Sequence, residues 1–232
     1  MKFSLIIPCY NEAKNLPLLL KRCDQVFDKD KIEVILVDNG STDNTDEFLN
    51  NNIHNYPGCR WIRVENNKGY GHGIISGLAA AKGQILGWTH ADMQTDPADI
   101  TKGIEIFEKN DIDIFCKGKR FGRPFADVFF TFGMSVFESL LMKNFMWDIN
   151  AQPTMFSKDF FNSWEEPPHD FSLDLYPYYI AKKNGMKIYR FPVFFGERAH
   201  GISHWNINWK SKLNFIKRTL SYSIKLRNSV KR

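Results

Sequence analysis

The most chemically suggestive run in this 232-residue chain is His90-Ala91-Asp92-Met93-Gln94-Thr95-Asp96. In an extended segment alternate side chains point the same way, so His90, Asp92 and Gln94 share one face. An oxygen-rich set with one imidazole suits Mg²⁺ or Mn²⁺, best where substrate phosphates complete the shell. Asp96, directly before Pro97, reads instead as the cap of a following helix. Asp38 precedes Asn39-Gly40 and serves either turn chemistry or hydrogen bonding to a nucleobase or ribose. Asp170 and Asp174 stand at i, i+4 spacing, which on a helix turns both toward one cleft. Each is either a general base or an acid that caps or solvates the helix.

Other chemistries lack a motif. Gly69-Tyr70-Gly71-His72-Gly73 follows the third strand rather than the first, at the wrong spacing for a dinucleotide loop. With Ser76, Gly77 and Ala79 to Ala81 it predicts close helix-to-sheet packing. There is no GxSxG elbow, HExxH helix or Walker loop.

These residues need elements to position them, and the first half of the chain alternates strand and helix signals. Buried, β-branched runs mark strands at Phe3–Ile7 (stopped by Pro8), Glu33–Asp38, Trp61–Val64, Gln84–Trp88 and Ile112–Phe115. Helices are predicted after Asn15, after Ser41-Thr42-Asp43, from Tyr70 to Ala81, and from Asp96-Pro97 to Phe107. The alternation predicts a parallel α/β sheet with helices on both faces, and ligands in such sheets bind at the carboxyl ends of the strands. Tyr10-Asn11-Glu12, Asp38 to Ser41, Asn66 to Gly69 and His90 to Asp92 all fall there.

The second half is irregular. Phe121 to Trp147 is aromatic-rich and mostly helical, with core packing the default for Phe125, Phe129, Phe130, Phe132 and Phe137 and contact with lipid the alternative. A strand near Thr154-Met155-Phe156, a helix over Ser172 to Lys183 with Pro177 awkwardly inside it, and a last strand over Met186 to Val193 complete the reading. One domain over 1–205 is expected, with a first half to residue 120 and an irregular half over 121–205, followed by a terminal helix over 206–232.

Composition excludes extended disorder and fibrous classes: 43% of residues are hydrophobic and 25% charged. Met1 and Lys2 lead straight into a strand, so no signal peptide is expected. The longest apolar run, Val128 to Phe137, is too short to cross a bilayer. Four cysteines without CxxC spacing suggest reduced thiols and a cytoplasmic setting. Residues 206–232 carry eight Lys and Arg and no acid, which leaves the first 205 at about −3 of the net +5.

Taken together, Ile6-Ile7-Pro8-Cys9-Tyr10-Asn11-Glu12, Val37 to Asp43, Asn67-Lys68-Gly69, Ala80 to Gly83 and His90 to Pro97 resemble glycosyltransferase family 2. Each piece is weak, but their order and intervals match over about residues 1–120. Gly118-Lys119-Arg120, Asp148 to Pro153 and Arg198 to Ser203 are similar to its dolichol-phosphate-mannosyltransferase-like branch. The resemblance implies a GT-A fold (Rossmann-like, mostly parallel) and inverting transfer of a sugar from a UDP- or GDP-sugar. It implies that Pro8, Tyr10, Glu12 and Asp38 hold the nucleoside. Asp92 and Gln94, with His90, then reach Mg²⁺ or Mn²⁺; Arg120, Arg198 and Ser203 lie along the phosphates, and Lys68 belongs to the donor-binding set. Asp174, in its Leu-Asp-Leu context, ranks above Asp170 as a base. A phosphate acceptor would need none. Three positions depart from the family pattern: His90 replaces the first acid of DxD, Asn39 replaces an acid, and His204 stands where a lysine often follows Ser203.

The implied acceptor is a polyprenyl phosphate or a growing glycan. A basic amphipathic helix fits an anionic membrane surface, with Trp209, Leu213, Ile216, Leu220 and Ile224 on one stripe. The same helix packed on its own domain is the simpler alternative. Nucleic acid is not an expected partner, since no recognised module or aromatic-basic platform is present. The competing functional reading is a non-catalytic nucleotide- or glycan-binding module, tethered to a membrane or partner. The expected location is cytoplasmic, peripheral to the membrane face.

Overall fold

The computed structural model describes residues 2–201 and 209–229, with side chains given for all of these except 209–216. Seven strands form one sheet: β1 (Phe3–Cys9), β2 (Ile32–Asn39), β3 (Cys59–Val64), β4 (Ile85–Trp88), β5 (Ile114–Phe121), β6 (Thr154–Ser157) and β7 (Lys187–Phe194). Among the described residues eight α-helices accompany them: α1 (Leu16–Val26), α2 (Thr45–Asn52), α3 (Tyr70–Ala80), α4 (Ile100–Glu108), α5 (Phe125–Met142), α6 (Lys158–Asn162), α7 (Tyr176–Lys183) and α8 (Trp209–Ser229). The strand order is β3-β2-β1-β4-β6-β5-β7, parallel except for β6, which is antiparallel to both β4 and β5.

The parallel α/β expectation holds, with corrections of detail. Pro8 does not stop β1, which runs on to Cys9 beside Asp38. The strand's period of two turns the Pro8 nitrogen toward β4, where the ladder has already ended at Ile6–Trp88, so its missing N–H costs nothing. Asn15 precedes α1 but makes no side-chain cap. Its amide instead donates to Glu12 Oε2 (2.5 Å) and to the His200 carbonyl (3.3 Å). Asp96 caps as expected, accepting the Ala98 N–H at 2.9 Å, and Arg22 grips the same carboxylate. β5 starts two residues later than predicted and extends to Phe121, which carries Arg120 to the sheet rim. Pro177 falls in the first turn of α7, where a missing N–H is harmless, because Phe171–Asp174 is a separate 3₁₀ turn.

Two hydrophobic clusters sandwich the sheet. Leu5, Ile7, Leu36, Leu19, Ile100 and Phe107 pack under α1 and α4. Ile6, Val37, Trp88, Phe115, Ile74 and Tyr178 pack under α3 and α7. The small-residue face of α3 packs closely: a Cβ on Gly77 would lie 2.5 Å from Ile6 Cγ2, and one on Gly71 would lie 2.5 Å from the Pro168 carbonyl. All four cysteines are free. Burial pushes the Cys59 and Cys116 thiols up to about 12 and also raises those of Cys9 and Cys23.

The aromatic helix departs most from expectation. α5 does not bury its phenylalanines: Phe125 is 83%, Phe129 70% and Phe132 51% exposed. Among the described residues it is also a helix long and apolar enough to cross a membrane by length and composition. The strictly apolar run understates this, because Asp127 and Glu138 interrupt the run without interrupting the helix. On α8, Tyr222, Ser223 and Leu226 turn toward the domain, while Ile224 of the proposed stripe is 50% exposed. Trp209, Leu213 and Ile216 are placed on the helix, with their side chains outside the described residues.

Glu138 lies between α5 and α8. It is fully buried and accepts from Ser223 Oγ at 2.8 Å, while its Oε2 has no hydrogen-bond partner among the described residues. Burial pushes its carboxyl up to about 7 from an ordinary 4.5. The folded chain therefore keeps this proton at pH values where the unfolded chain has released it. That contribution to stability is complete below the unfolded pKa and is lost as pH rises through about 7. Glu138→Gln should flatten this dependence and stabilise the protein at pH 8 by roughly 1–3 kcal/mol. Urea unfolding at pH 5 and pH 8 measures it, and identical pH dependence in both proteins would refute the account.

Candidate active site

A cleft of about 620 Å³ opens at the carboxyl ends of β1, β2 and β4 and runs on beneath α5. Of the residues singled out in the sequence, Pro8, Tyr10, Glu12, His90, Asp92, Gln94, Arg120, Asp174 and Arg198 line it.

The loop after β1 is stapled to the loop after β2. Asn11, in the left-handed region at φ 58°, accepts the Thr42 N–H at 2.8 Å, and the Glu12 N–H donates to Thr45 Oγ1 at 3.0 Å. Burial raises the Glu12 carboxyl, assisted by Asp92 and opposed by its bond from Asn15 and by Arg198. Asn39 and Asn67 complete this end of the cleft. Asp38 does not face it. The carboxylate is fully buried: Oδ1 accepts the Ser41 N–H at 2.9 Å, and Oδ2 lies 3.5 Å from Arg63 with no hydrogen-bond partner among the described residues. Lys68 is exposed on its loop and is not among the lining residues, whereas its neighbours Asn67 and Gly69 are. Ser203 and His204 lie outside the described residues.

His90, Asp92 and Gln94 all line the cleft, though not from an extended strand. Met93 sits at φ 59°, and the segment turns so that Asp92 Oδ1 accepts the Gln94 N–H at 3.2 Å. The 196–199 loop is laced onto this turn: the Gln94 amide donates to the Gly196 carbonyl (3.1 Å), and the Ala199 N–H donates to the Asp92 carbonyl (3.3 Å). That lacing sets Arg198 Nη2 3.0 Å from Asp92 Oδ2, so the buried carboxylate carries its own counter-charge.

The cleft floor is a buried polar network. Asp174 Oδ1 accepts from Gln152 Nε2 (2.7 Å) and Trp88 Nε1 (3.3 Å), and the same Gln152 amide donates to the Tyr70 hydroxyl (3.1 Å). Burial pushes the Asp174 carboxyl up, against the pull of Lys117 and His90. Lys117, fully buried, donates to Thr154 Oγ1 at 2.8 Å, and burial brings its ammonium down to about 7 while Asp174 works the other way. Asp170 is not Asp174's partner on a helix. It precedes a 3₁₀ turn in extended conformation, caps Ser172 (2.9 Å) and pairs with Arg218 (3.3 Å), outside the cleft wall.

Sequence reasoning missed Arg123 and the role of Asp148. Asp148 is buried and gathers three guanidinium groups: Arg120 at 2.5 Å, Arg123 at 3.8 Å and Arg190 at 3.9 Å. Burial would raise its carboxyl, but Arg120 prevails and holds it below the usual range. Arg123 lines the cleft and donates to Thr131 Oγ1 at 2.9 Å, while its buried Nε has no partner among the described residues. Its spacing of three from Arg120 was the available signal.

A mostly parallel sheet with a strand-end cleft, a buried acid on the fourth strand's loop and guanidinium groups facing it defines a GT-A type of α/β domain. The comparisons agree. Residues 4–147 match the family described as glycosyl transferase family 2, and the chain belongs to that family. It is 38% identical over 114 residues to a dolichol-phosphate mannosyltransferase of Pyrococcus furiosus, covering 49% of this chain and 32% of that protein. It is 34% identical over 112 residues to an undecaprenyl-phosphate 4-deoxy-4-formamido-L-arabinose transferase of Yersinia enterocolitica, covering 47% and 34% respectively. These matches span about a third of each relative's length. Among solved structures, a Pyrobaculum calidifontis mannosyltransferase in complex with GDP-Man and Mn²⁺ aligns with TM-score 0.70 at 19% identity, over 97% of this chain and 64% of that one. A Mycobacterium tuberculosis glucosyl-3-phosphoglycerate synthase with Mn²⁺, UDP-glucose and phosphoglyceric acid aligns with TM-score 0.72 at 16% identity, over 97% and 79%.

Proposed function

We propose that the chain transfers a hexosyl group, with inversion, from a UDP- or GDP-sugar to a polyprenyl phosphate at the cytoplasmic face of a membrane. The observation that carries this reading is the convergence of Tyr10, Glu12, Asp92, Arg120, Arg123 and Arg198 on one cleft. The relatives' names, which specify polyprenyl-phosphate substrates, support the acceptor class.

Pro8, Tyr10 and Glu12, with Asn39 and Asn67, would hold the nucleoside. Asp92 offers a buried carboxylate, His90 an imidazole and Gln94 an amide, a donor set that fits Mn²⁺ or Mg²⁺ when a diphosphate supplies the remaining oxygens. The ion, when bound, neutralises charge on the departing nucleoside diphosphate. Arg198, Arg120 and Arg123 add fixed positive charge in a site shielded from water. A phosphate acceptor is already ionised and needs orientation rather than a base. A glycan hydroxyl, the second acceptor class, would need one, and Asp174 at the cleft floor is the acid in position. The basic segment 206–232, which includes α8, would add attraction to an anionic membrane surface.

Calorimetric titration with UDP and GDP in Mn²⁺ tests the reading. Micromolar to sub-millimolar binding of one of them is expected, and no binding of either would overturn it. A bound donor sugar that is neither hydrolysed nor transferred would favour the non-catalytic binding module.

A further inference from the structure

Helix α5 is amphipathic in the reverse of the usual sense. Asp127, Thr131, Ser135 and Glu138, spaced by four, four and three residues, form a stripe that lines the cleft. The opposite stripe, Phe125, Phe129, Phe132, Val136 and Leu140, faces outward, with Phe129 70% and Leu140 75% exposed. Phe121, Phe145 and Phe194 are also more than half exposed. A monomeric protein in water rarely leaves a contiguous apolar face of this extent uncovered.

We infer that this outward face of α5 lies in the interface of an anionic lipid bilayer, so that a lipid-linked acceptor reaches the cleft from the membrane beside the helix. The inference rests on the proposed acceptor class and assigns the membrane contact to a face distinct from the α8 stripe. Three observations favour lipid over a second copy of the chain. The outward residues are chiefly phenylalanine and leucine on one 18-residue helix, about 27 Å long, which suits a helix lying in the interface plane. Its polar stripe lines the cleft, which excludes a spanning orientation and puts the acceptor path against the membrane-facing helix. Cations accompany it: Lys119 and Lys143 flank α5 and are exposed, as are Lys217 and Lys225 on α8, which packs on α5 through Ser223 and Glu138. Between 206 and 232 there is no acid to repel anionic headgroups.

The test is flotation of the full chain with vesicles of phosphatidylcholine and phosphatidylglycerol, comparing wild type with Phe129→Glu and, separately, Leu140→Glu. Neither residue lines the cleft. Wild type is expected to float, and each substitution should lower the partition coefficient roughly tenfold or more, because a large apolar side chain leaves the interface. Thermal melting and nucleotide affinity should be unchanged. Wild type that stays at the bottom of the gradient, or variants that float equally well, would overturn the inference. So would light scattering that shows a dimer dissociated by these substitutions, which would make the face a contact between copies. Flotation that responds as expected in a protein that binds no nucleotide would sink the proposed activity and leave the membrane face standing.

Discussion

Asp92→Ala should abolish the Mn²⁺-dependent part of nucleotide binding, weakening UDP or GDP affinity in Mn²⁺ by about a hundredfold and turnover by roughly a thousandfold. The expectation follows from how the carboxylate is held. It is the one acid of the His90-Asp92-Gln94 turn, it is buried, and its present partner is the Arg198 guanidinium at 3.0 Å. Removing it takes away the carboxylate that would hold the divalent ion and leaves Arg198 without a counter-charge, so affinity for a bare nucleoside diphosphate should persist or improve. Titrations with and without Mn²⁺ separate the two effects. An unchanged Mn²⁺ increment in the variant would remove Asp92 from the metal site.

Asp148→Ala should cost about 3–5 kcal/mol of folding stability, the range for removing one partner of a buried ion pair. In a domain of this size that lowers the melting temperature by on the order of 10 °C. The carboxylate is almost wholly inaccessible, makes two hydrogen bonds to the Arg120 guanidinium and accepts the Arg120 backbone N–H, with Arg123 and Arg190 close behind. Without it, three guanidinium groups face one another in a partly dry site. Since two of them line the cleft, donor binding should weaken even under conditions where the variant stays folded. Urea unfolding read by far-UV circular dichroism measures the loss, and a change below about 1 kcal/mol would show that the arginines find solvent or other acceptors.

Much of the first half was legible in the sequence, because its elements announce themselves locally. A buried β-branched run followed by a polar turn and a helix repeats four times, and the strand-end rule then points at Tyr10, Asn39, Asn67 and Asp92. What was not legible involves either partners far apart along the chain or local geometry that residue spacing does not reveal. The four-residue strand β6 pairs on both sides with segments at least 33 residues away, a placement that no local pattern encodes. Asp170 and Asp174 have helical spacing, yet a capped 3₁₀ turn separates their directions. The Asp38 carboxylate shows a turn bond to Ser41 on one oxygen and leaves the other without a hydrogen-bond partner among the described residues, a division that no sequence pattern reveals. The α5 phenylalanines illustrate the limit of composition: aromatic residues at helical spacing describe one apolar face equally well whether it meets the core or the outside. Arg123 became meaningful only when Asp148, remote in sequence, was placed beside it.

The four high-pKa thiols, three of them buried and Cys59 half-buried, also have a practical consequence. A thiol reacts with maleimides and disulfides as its thiolate, and one with a pKa near 12 is ionised to only roughly one part in 10⁵ at pH 7. Native Cys9, Cys23, Cys59 and Cys116 therefore form a nearly silent background for site-directed labelling. A single cysteine at an exposed position such as Leu140→Cys would carry a fluorophore or spin label essentially alone, making the polarity of its surroundings directly readable without first deleting any native thiol.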